Sequence, residues 1–327
     1  MISKAKRTKL RNRIWQYVTL RREFWNVPRA IKGCRKIARN DKDRLHVLIC
    51  DHIGDFIYTM GYMDALLKQT GYANVTIYVT EKFASMTDLF PGYKGDIQVI
   101  NRHELYNLLL IDSTWHGIQE YKRLDNLIAI NPTNAFTCGE YGYIAKFHEI
   151  HFGDCIRYGC LHLKKDARFV APTVPTEADS GGELSTAHYD MTNTVIIMPY
   201  ARYLNDIGNE TWEKVTDALT SVGYKVYTSI GSEDEVPVNG TIPFLCSLKE
   251  LMVFAPQAKM VIGTRSGLFD LLAYTESRLI AVYPTGLSDI SFHSMEALPD
   301  SKAKYYEYEE TTIREMIKDR RINELFL

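Results

Sequence analysis

The sequence predicts an α/β protein built of two doubly wound domains that face each other across a cleft. Apolar runs at residues 45–50 and 260–262 are typical of buried parallel strands. Each run leads into a glycine turn, residues 51–55 and residues 263–267, and then into a pattern with helical spacing. Residues 171–193 are rich in Pro, Gly, Ser and Thr, which indicates a linker. Because ligands bind at the carboxyl ends of strands in such sheets, a cleft between the two domains would collect both turns.

The chain of 327 residues is long enough for two domains of ordinary size, and its 46% hydrophobic content is that of a globular protein. No apolar run is long enough to span a bilayer and no secretory signal is visible, so we expect a cytoplasmic location. The predicted division is a basic extension at residues 1–44, a first domain at 45–170, the linker at 171–193, a second domain at 194–305 and a C-terminal helix at 306–327.

Periodicity along the chain predicts the individual elements. In the first domain it predicts strands at residues 45–50, 75–79, 97–100, 108–112 and 126–130, with helices at 56–69 and 81–90. In the second it predicts strands at 194–198, 225–229, 260–262 and 279–283, with helices at 210–222, 248–255 and 268–274. The tail at 311–327 has a charged amphipathic pattern, which predicts a helix that packs back across the domains.

The amino-terminal extension carries most of the positive charge. Residues 1–44 hold fifteen Lys and Arg against three acids, a net of +12, whereas the whole chain has a net charge of −1. Aromatic and aliphatic residues between the basic ones favour a basic amphipathic helix that binds an anionic membrane surface, where each basic residue contributes about 1 kcal/mol. The alternative is a helix packed on the protein with its basic face in solvent. Nucleic acid is not expected as a partner, because the rest of the chain is acidic and has no recognisable nucleic-acid module.

The six cysteines do not have the paired spacing of a metal site; they lie at positions 34, 50, 138, 155, 160 and 246. Cys50 and Cys246 stand in apolar stretches and are expected to be small core residues in a reducing compartment. We therefore expect neither a bound metal nor a cofactor.

The second glycine turn (residues 263–267) has the composition of an anion site. The first N–H groups of the helix that follows it have no partners within the helix, and the helix dipole favours negative charge there. Arg265 would add a cation that forks onto phosphate oxygens, although an ordinary tight turn is the alternative. Arg202, just beyond a predicted strand end, is either a second such cation or a surface arginine.

Five short motifs in this order resemble the heptosyltransferase-like group of GT-B glycosyltransferases, glycosyltransferase family 9, whose fold is two facing Rossmann-like domains. The resemblance covers about residues 45–70 and 194–285. The matching stretches are residues 53–59 with 64–67 (IGDFIYT and DALL), 212–219, 223–231, 247–251 (SLKEL) and 261–267 (VIGTRSG).

This resemblance implies a glycosyltransferase that moves a sugar from a nucleotide-sugar donor to a lipid-linked or saccharide acceptor in bacterial cell-surface polysaccharide synthesis. An inverting, metal-independent reaction is expected. The sequence departs from the family pattern at Arg265, where an aspartate is usual, and at Asp270, where a histidine is usual. Asp270 would bind a sugar or ribose hydroxyl, or cap the helix.

Such a transfer needs a base for the acceptor hydroxyl and donors for the departing diphosphate. Asp55 is the leading candidate for the base, with His52 and Asp51 as runners-up; Gly54 and Asp51 would form the acceptor loop. The diphosphate would bind at the second turn, and its predicted ligands are Arg202, Thr264, Arg265, Ser266 and Gly267. Two other classes remain open, a nucleotide-sugar 2-epimerase on the same fold and a non-catalytic two-domain binding protein.

Overall fold

A computed structural model describes residues 26–131, 151–176, 191, 193–201, 207–231, 235–287 and 290–326. These residues form two parallel sheets. The strands of the first sheet are β1 Arg44–Ile49, β2 Asn74–Val79, β3 Asp96–Val99 and β4 Leu127–Ile130. Those of the second are β5 Thr194–Met198, β6 Lys225–Ile230, β7 Ile242–Leu245, β8 Met260–Thr264, β9 Arg278–Tyr283 and β10 Lys304–Glu309. The two doubly wound domains predicted from the sequence are thereby confirmed.

The strand order of each sheet predicts where a ligand would bind, which is next to the first strand of that sheet. The orders are β3-β2-β1-β4 and β10-β9-β8-β5-β6-β7, with every pairing parallel. Val47 lies opposite Ile77 and Ile128. In both sheets the winding reverses next to the first strand, between β1 and β4 and between β5 and β8. Ligands of doubly wound sheets bind at such reversals, beyond the carboxyl ends of the strands.

Helices cover the faces of both sheets. In the first domain these are α1 at residues 26–40, α2 Ile53–Gly61, α3 Met63–Thr70, α4 Glu81–Ala84, α5 Arg102–Leu109, α6 Trp115–Tyr121 and α7 Phe152–Asp154, which continues into a π-helical turn at Cys155–Cys160. In the second they are α8 Asn209–Ser221, α9 Leu248–Phe254, α10 Gly267–Leu272, α11 Ile290–His293 and α12 Glu310–Lys318. Among the residues so described, no helix combines the length and apolar character needed to cross a membrane.

One continuous apolar cluster joins the two domains. It contains Val47 and Phe56 from the first domain and Val261 and Phe269 from the second, all fully buried. Helices α2 and α10 pack directly on each other within it. Since these helices open from the two glycine turns, the packing holds the turns together.

The first domain differs from the prediction at an apolar run that the folded chain places in a helix. Residues 108–112, predicted as a strand, are the end of α5 and a 3-10 turn at Leu110–Asp112. Leu105, Leu108, Leu109 and Ile111 pack from this segment beneath the sheet. Asn101 caps α5 by accepting from the Glu104 N–H, which gives the helix a defined start. The predicted helix at 56–69 is two helices, because the backbone leaves helical geometry at Tyr62 (φ −98°, ψ 4°).

The second domain contains two strands that the apolar pattern did not predict, β7 and β10. Both lie at sheet edges, β7 with a proline in its sequence IPFL and β10 with the sequence KYYEYE. Edge strands have one open side and tolerate proline and charge, so they lack the apolar run that marks a central strand. Residues 306–309, predicted as helix, therefore belong to β10, and the tail packs on its own domain, with Ile313 and Met316 against Trp212.

The described part of the basic extension is a helix packed on the protein, as its alternative prediction had it. The buried face of α1 consists of Val27, Ala30, Ile31, Cys34 and Ala38, which pack with α5 and β4. Arg29, Lys32, Lys36 and Arg39 are exposed on the same helix. A separate amphipathic extension is thus not supported for residues 26–40, because their apolar face belongs to the core; residues 1–25 lie outside the described residues.

Candidate active site

A cavity of about 720 Å³ lies between the domains at the carboxyl ends of β1, β5, β6 and β8. The first glycine turn (residues 51–55) forms one wall, and residues 265–268 form the facing wall. The wall also includes Lys82 from the first domain and Tyr200 from the end of β5. The cavity is therefore where the strand order of both sheets places a ligand site.

The two glycine turns touch through their backbones. A Cβ added at Gly267 would lie 3.0 Å from the backbone nitrogen of Gly54. A Cβ added at Gly54 would lie 2.8 Å from Oδ2 of Asp270. A side chain at either position would therefore crowd the opposite domain, pressing on the Gly54 backbone from position 267 and on the Asp270 carboxylate from position 54.

Asp55 is buried at the cavity wall with half of its carboxylate engaged. It is 1% exposed. Its Oδ2 accepts from Cys50 Sγ at 2.6 Å and lies 2.8 Å from His52 Nδ1. Its Oδ1 has no hydrogen-bond partner among the residues described. One carboxylate oxygen is thus fixed, and the other is buried without a hydrogen-bond partner among the described residues.

His52 is held at both ring nitrogens. Its Nε2 lies 3.1 Å from the hydroxyl of Tyr106 on α5, opposite the contact of Nδ1 with Asp55. An Nδ1–H that donates to Asp55 and an Nε2 that accepts from Tyr106 would satisfy this geometry. Burial raises the pKa of Tyr106, so its hydroxyl remains protonated and able to donate. The sequence did not indicate Tyr106, which follows His52 by fifty-four positions.

Cys50, the last residue before the first turn, is a buried thiol next to this pair. Its Sγ lies 3.3 Å from His52 Nδ1. Burial, followed by the nearby Asp55 carboxylate, raises the pKa of the Cys50 thiol well above its usual value. The cysteine is a core residue, as predicted, and it also supports the Asp55 carboxylate.

Asp51 is bound to its own domain. Its Oδ1 accepts from Thr80 Oγ1 at 2.6 Å, and its Oδ2 pairs with Arg102 Nε at 3.2 Å. Although Asp51 borders the cavity, these partners fit a residue that shapes the first turn better than they fit a base.

Arg265 and Asp270 form a buried ion pair within the second turn. Arg265 Nη2 donates to Asp270 Oδ1 at 2.5 Å, Nη1 donates to the Ser266 carbonyl at 2.5 Å, and Nε donates to the His293 carbonyl at 2.9 Å. Burial acts to lower the pKa of Arg265, but the Asp270 carboxylate outweighs it and raises the pKa above its usual range. The guanidinium is thus charged and largely engaged by protein groups, whereas the sequence predicted a cation directed at a ligand.

Of the remaining residues of the second turn, Thr264 stabilises the fold, whereas Ser266 and Gly267 border the cavity. Thr264 Oγ1 donates to the Pro199 carbonyl at 2.7 Å and is fully buried, so its hydroxyl joins β8 to the end of β5. Ser266 Oγ has no partner in the described part of the chain and borders the cavity with Gly267. Arg202 lies outside the described residues.

Two aromatic side chains that the sequence analysis did not single out line the cavity. Phe152 from the first domain and Phe292 from the second meet edge to face, with ring centroids 5.9 Å apart. Phe292 also packs against His293, whose ring borders the cavity. Neither phenylalanine belongs to a motif, so only the folded chain reveals this contact between the domains.

Two facing doubly wound domains with a cleft at their strand ends define the GT-B fold, and the comparisons with solved structures confirm the fold predicted from the sequence. No protein-family model matches the chain, and no curated protein matches it either. A glycosyltransferase family 9 protein from Veillonella parvula superposes with a TM-score of 0.52 at 16% identity, over 86% of this chain and 92% of that one. The ADP-heptose LPS heptosyltransferase II of E. coli gives 0.53 at 12% identity, over 86% and 98%. The E. coli heptosyltransferase WaaC, solved with ADP, gives 0.50 at 11% identity, over 85% and 99%.

Proposed function

We propose that the chain is a glycosyltransferase that transfers a sugar from a nucleotide-sugar donor to a lipid-linked or saccharide acceptor in bacterial cell-surface polysaccharide synthesis. The observation that carries this proposal is the Asp55 carboxylate, which is buried at the cleft wall with one oxygen held and the other without a partner among the described residues. This arrangement suits a base for an acceptor hydroxyl, since Cys50 and His52 fix one oxygen and the other has no competing partner among the described residues.

The solved neighbours support a nucleotide-sugar as the donor. One heptosyltransferase with this fold was solved with ADP, and another is described as acting with ADP-heptose. A nucleoside diphosphate of this kind is the expected leaving group here, while the base of the nucleotide and the sugar are left open.

The proposed step is a single inverting displacement. The acceptor hydroxyl gives its proton to Asp55 Oδ1 as its oxygen forms a bond to the anomeric carbon. The bond between that carbon and the diphosphate oxygen breaks, and the nucleoside diphosphate leaves with the electron pair. Cys50 and His52 contact Oδ2 and so keep the carboxylate in position.

Donors on the second turn would stabilise the leaving diphosphate, so that the transfer itself needs no metal. Ser266 borders the cavity and supplies a hydroxyl that has no partner among the described residues. Arg265 has five N–H donors, of which three serve the protein, and the other two are left for a phosphate oxygen. Asp270 would act mainly through Arg265, whose charge and orientation it fixes.

The exposed basic face of α1 fits an acceptor that lies at a membrane. Arg29, Lys32, Lys36 and Arg39 recur at intervals of three and four residues, so they share one face of the helix. Because the apolar face of α1 is buried, we propose that contact with the inner face of the cell membrane is electrostatic and peripheral. Replacing these four residues by Gln should leave folding intact and weaken binding to anionic vesicles, by about 1 kcal/mol for each residue that contacts the surface. Equal vesicle binding by the variant and the wild type would reject this role for α1.

The decisive experiment on the base is Asp55→Asn with Asp64→Asn as a matched control. Asp64 is an exposed aspartate on α3, the next helix of the same domain. A thermal-shift screen of nucleoside diphosphates first identifies the donor class, and transfer is then followed by diphosphate release in the presence of envelope lipid extract. Asp55→Asn should lower turnover by about 10²–10⁴ while the diphosphate still stabilises the protein. If Asp55→Asn keeps more than about a tenth of the turnover of the control, Asp55 is not the base.

A further inference from the structure

Three side-chain atoms of the kinds that bind transition metals converge at the carboxyl end of β1. They are the sulfur of Cys50, Nδ1 of His52 and Oδ2 of Asp55, and all lie within 4.8 Å of one another. The separations are 3.3 Å from sulfur to nitrogen, 2.6 Å from sulfur to oxygen and 2.8 Å from nitrogen to oxygen. One ion would therefore reach all three atoms after a small adjustment.

The backbone fixes these ligands independently of an ion. Cys50 follows the last residue of β1 and is fully buried, and Asp55 lies in the first turn of α2. The His52 N–H donates to the Cys50 carbonyl at 2.8 Å, and the Phe56 N–H donates to the His52 carbonyl at 3.0 Å. The spacing Cys-x-His-x-x-Asp thus places the three side chains on one side of a rigid strand-to-helix turn.

The surroundings of the cluster are those of a metal site. In such sites the second nitrogen of a ligating histidine is normally bound to an oxygen, and Tyr106 supplies that contact to Nε2 at 3.1 Å. Among the described ion pairs, Asp55 is matched only with His52 and with no Lys or Arg. A buried carboxylate needs a compensating positive charge, which a divalent ion would supply. His52 and Asp55 border the cavity, which provides the path of entry.

We propose that Cys50, His52 and Asp55 bind a thiolate-preferring divalent transition ion such as Zn²⁺, with a fourth position open to the cleft. Zinc binds each of these three atom types, and its catalytic sites combine three protein ligands with one open position. Zinc bonds are about 2.3 Å to sulfur and about 2.0–2.2 Å to oxygen. To make both bonds, Sγ and Oδ2 must move about 1 Å further apart than their present 2.6 Å. Binding converts the Cys50 thiol to a thiolate and releases its proton to solvent.

The ion lies at the acceptor side of the cleft, away from the diphosphate, and takes no part in the transfer proposed above. An ion bound to Asp55 would prevent this residue from acting as the base, so the protein could not bind the ion and transfer a sugar at the same time. Only this consequence rests on the proposed function. Metal binding can be measured without knowing the donor or the acceptor. Its failure would leave the proposed transfer standing, and the absence of transfer would leave the site standing.

The test is a titration of the reduced, metal-free chain with Co²⁺, followed by displacement with Zn²⁺. The wild type should develop thiolate-to-cobalt charge-transfer absorption that saturates at one equivalent and disappears on addition of Zn²⁺. Cys50→Ser should remove the band. His52→Ala, which keeps every thiol, should weaken Co²⁺ binding at least about tenfold, and Tyr106→Phe about 10- to 100-fold.

Cys246→Ser is the matched control, since Cys246 also borders the cavity but lies on the opposite domain. This variant should bind Co²⁺ like the wild type. A wild type without the band, or a band that survives Cys50→Ser, would overturn the proposal. If Cys50→Ser does not fold, His52→Ala decides, because wild-type affinity in that variant would also overturn it.

Discussion

The two glycine turns have the same local construction but use their charged residues in opposite ways. Each follows a buried parallel strand, opens a helix and contains a glycine that contacts the other domain. In the first turn Asp55 has no Lys or Arg partner among the described residues, and its Oδ1 is buried without a hydrogen-bond partner there. In the second turn Arg265 and Asp270 neutralise each other and are hydrogen-bonded into the protein. A charged residue near a strand-to-helix turn can therefore serve a ligand or stabilise the turn itself. The order of strand, glycine turn and helix is shared by both turns and does not distinguish the two roles.

The strongest test of this difference is the stability of charge-removing variants in the two turns. Arg265→Ala leaves Asp270 as a buried carboxylate without its partner, which should cost about 3–5 kcal/mol of unfolding free energy. Asp55→Asn removes a charge that has no Lys or Arg partner and should change stability by less than about 1 kcal/mol. Urea denaturation of both variants measures this contrast.

The double variant Arg265→Met, Asp270→Leu is the control, because removing both partners together should recover most of the loss. Equal losses for Arg265→Ala and Asp55→Asn would show that the two turns use their charges alike and would break the comparison.

A second test concerns the contact that the turns share. Gly267→Ala adds a Cβ that would lie 3.0 Å from the backbone nitrogen of Gly54 and should cost about 1–3 kcal/mol, because the Gly54 backbone must shift to admit it. Gly92→Ala is matched, since its Cβ would meet nothing nearer than 3.9 Å, and it should stay within about 0.5 kcal/mol of the wild type. Thermal unfolding separates them, and a Gly267→Ala variant as stable as Gly92→Ala would mean that the turns are not in contact in solution.

The smallest expected effect distinguishes two neighbouring hydroxyls of the second turn. Ser266→Ala removes a hydroxyl that has no described partner, so stability should hold while nucleoside diphosphate affinity falls about two- to tenfold. Thr264→Val removes a bond to the Pro199 carbonyl, so stability should fall by about 1–2 kcal/mol with affinity unchanged. Titration calorimetry with the diphosphate identified in the screen gives the affinities. The reverse pattern would assign the ligand to Thr264.

Elements of the core were predictable from the sequence because burial on both faces leaves a continuous apolar run. Such runs marked β1, β5, β8 and β9, and glycine marked the turns that follow β1 and β8. Edge strands β7 and β10 carry proline, tyrosine and charge instead, so the same rule did not find them. The break at Tyr62 directly follows Gly61, a signal that the prediction of one continuous helix over 56–69 did not use.

The site was predictable only as far as local sequence determines it. Asp55 and Ser266 were expected at the cleft because each belongs to a glycine turn that follows a buried strand. The pairing of Arg265 with Asp270 depends on a side-chain conformation that spacing does not specify. Tyr106 reaches His52 from α5, and this approach exists only once the helix packs on the sheet.

The contact between Gly54 and Gly267 also limits how the cleft can be used. Side chains between domains can change rotamer and absorb a shift, whereas two opposed backbones have less freedom, so this contact limits how closely the two turns approach each other. Substrates therefore lie beside the contact, in the cavity that both turns border.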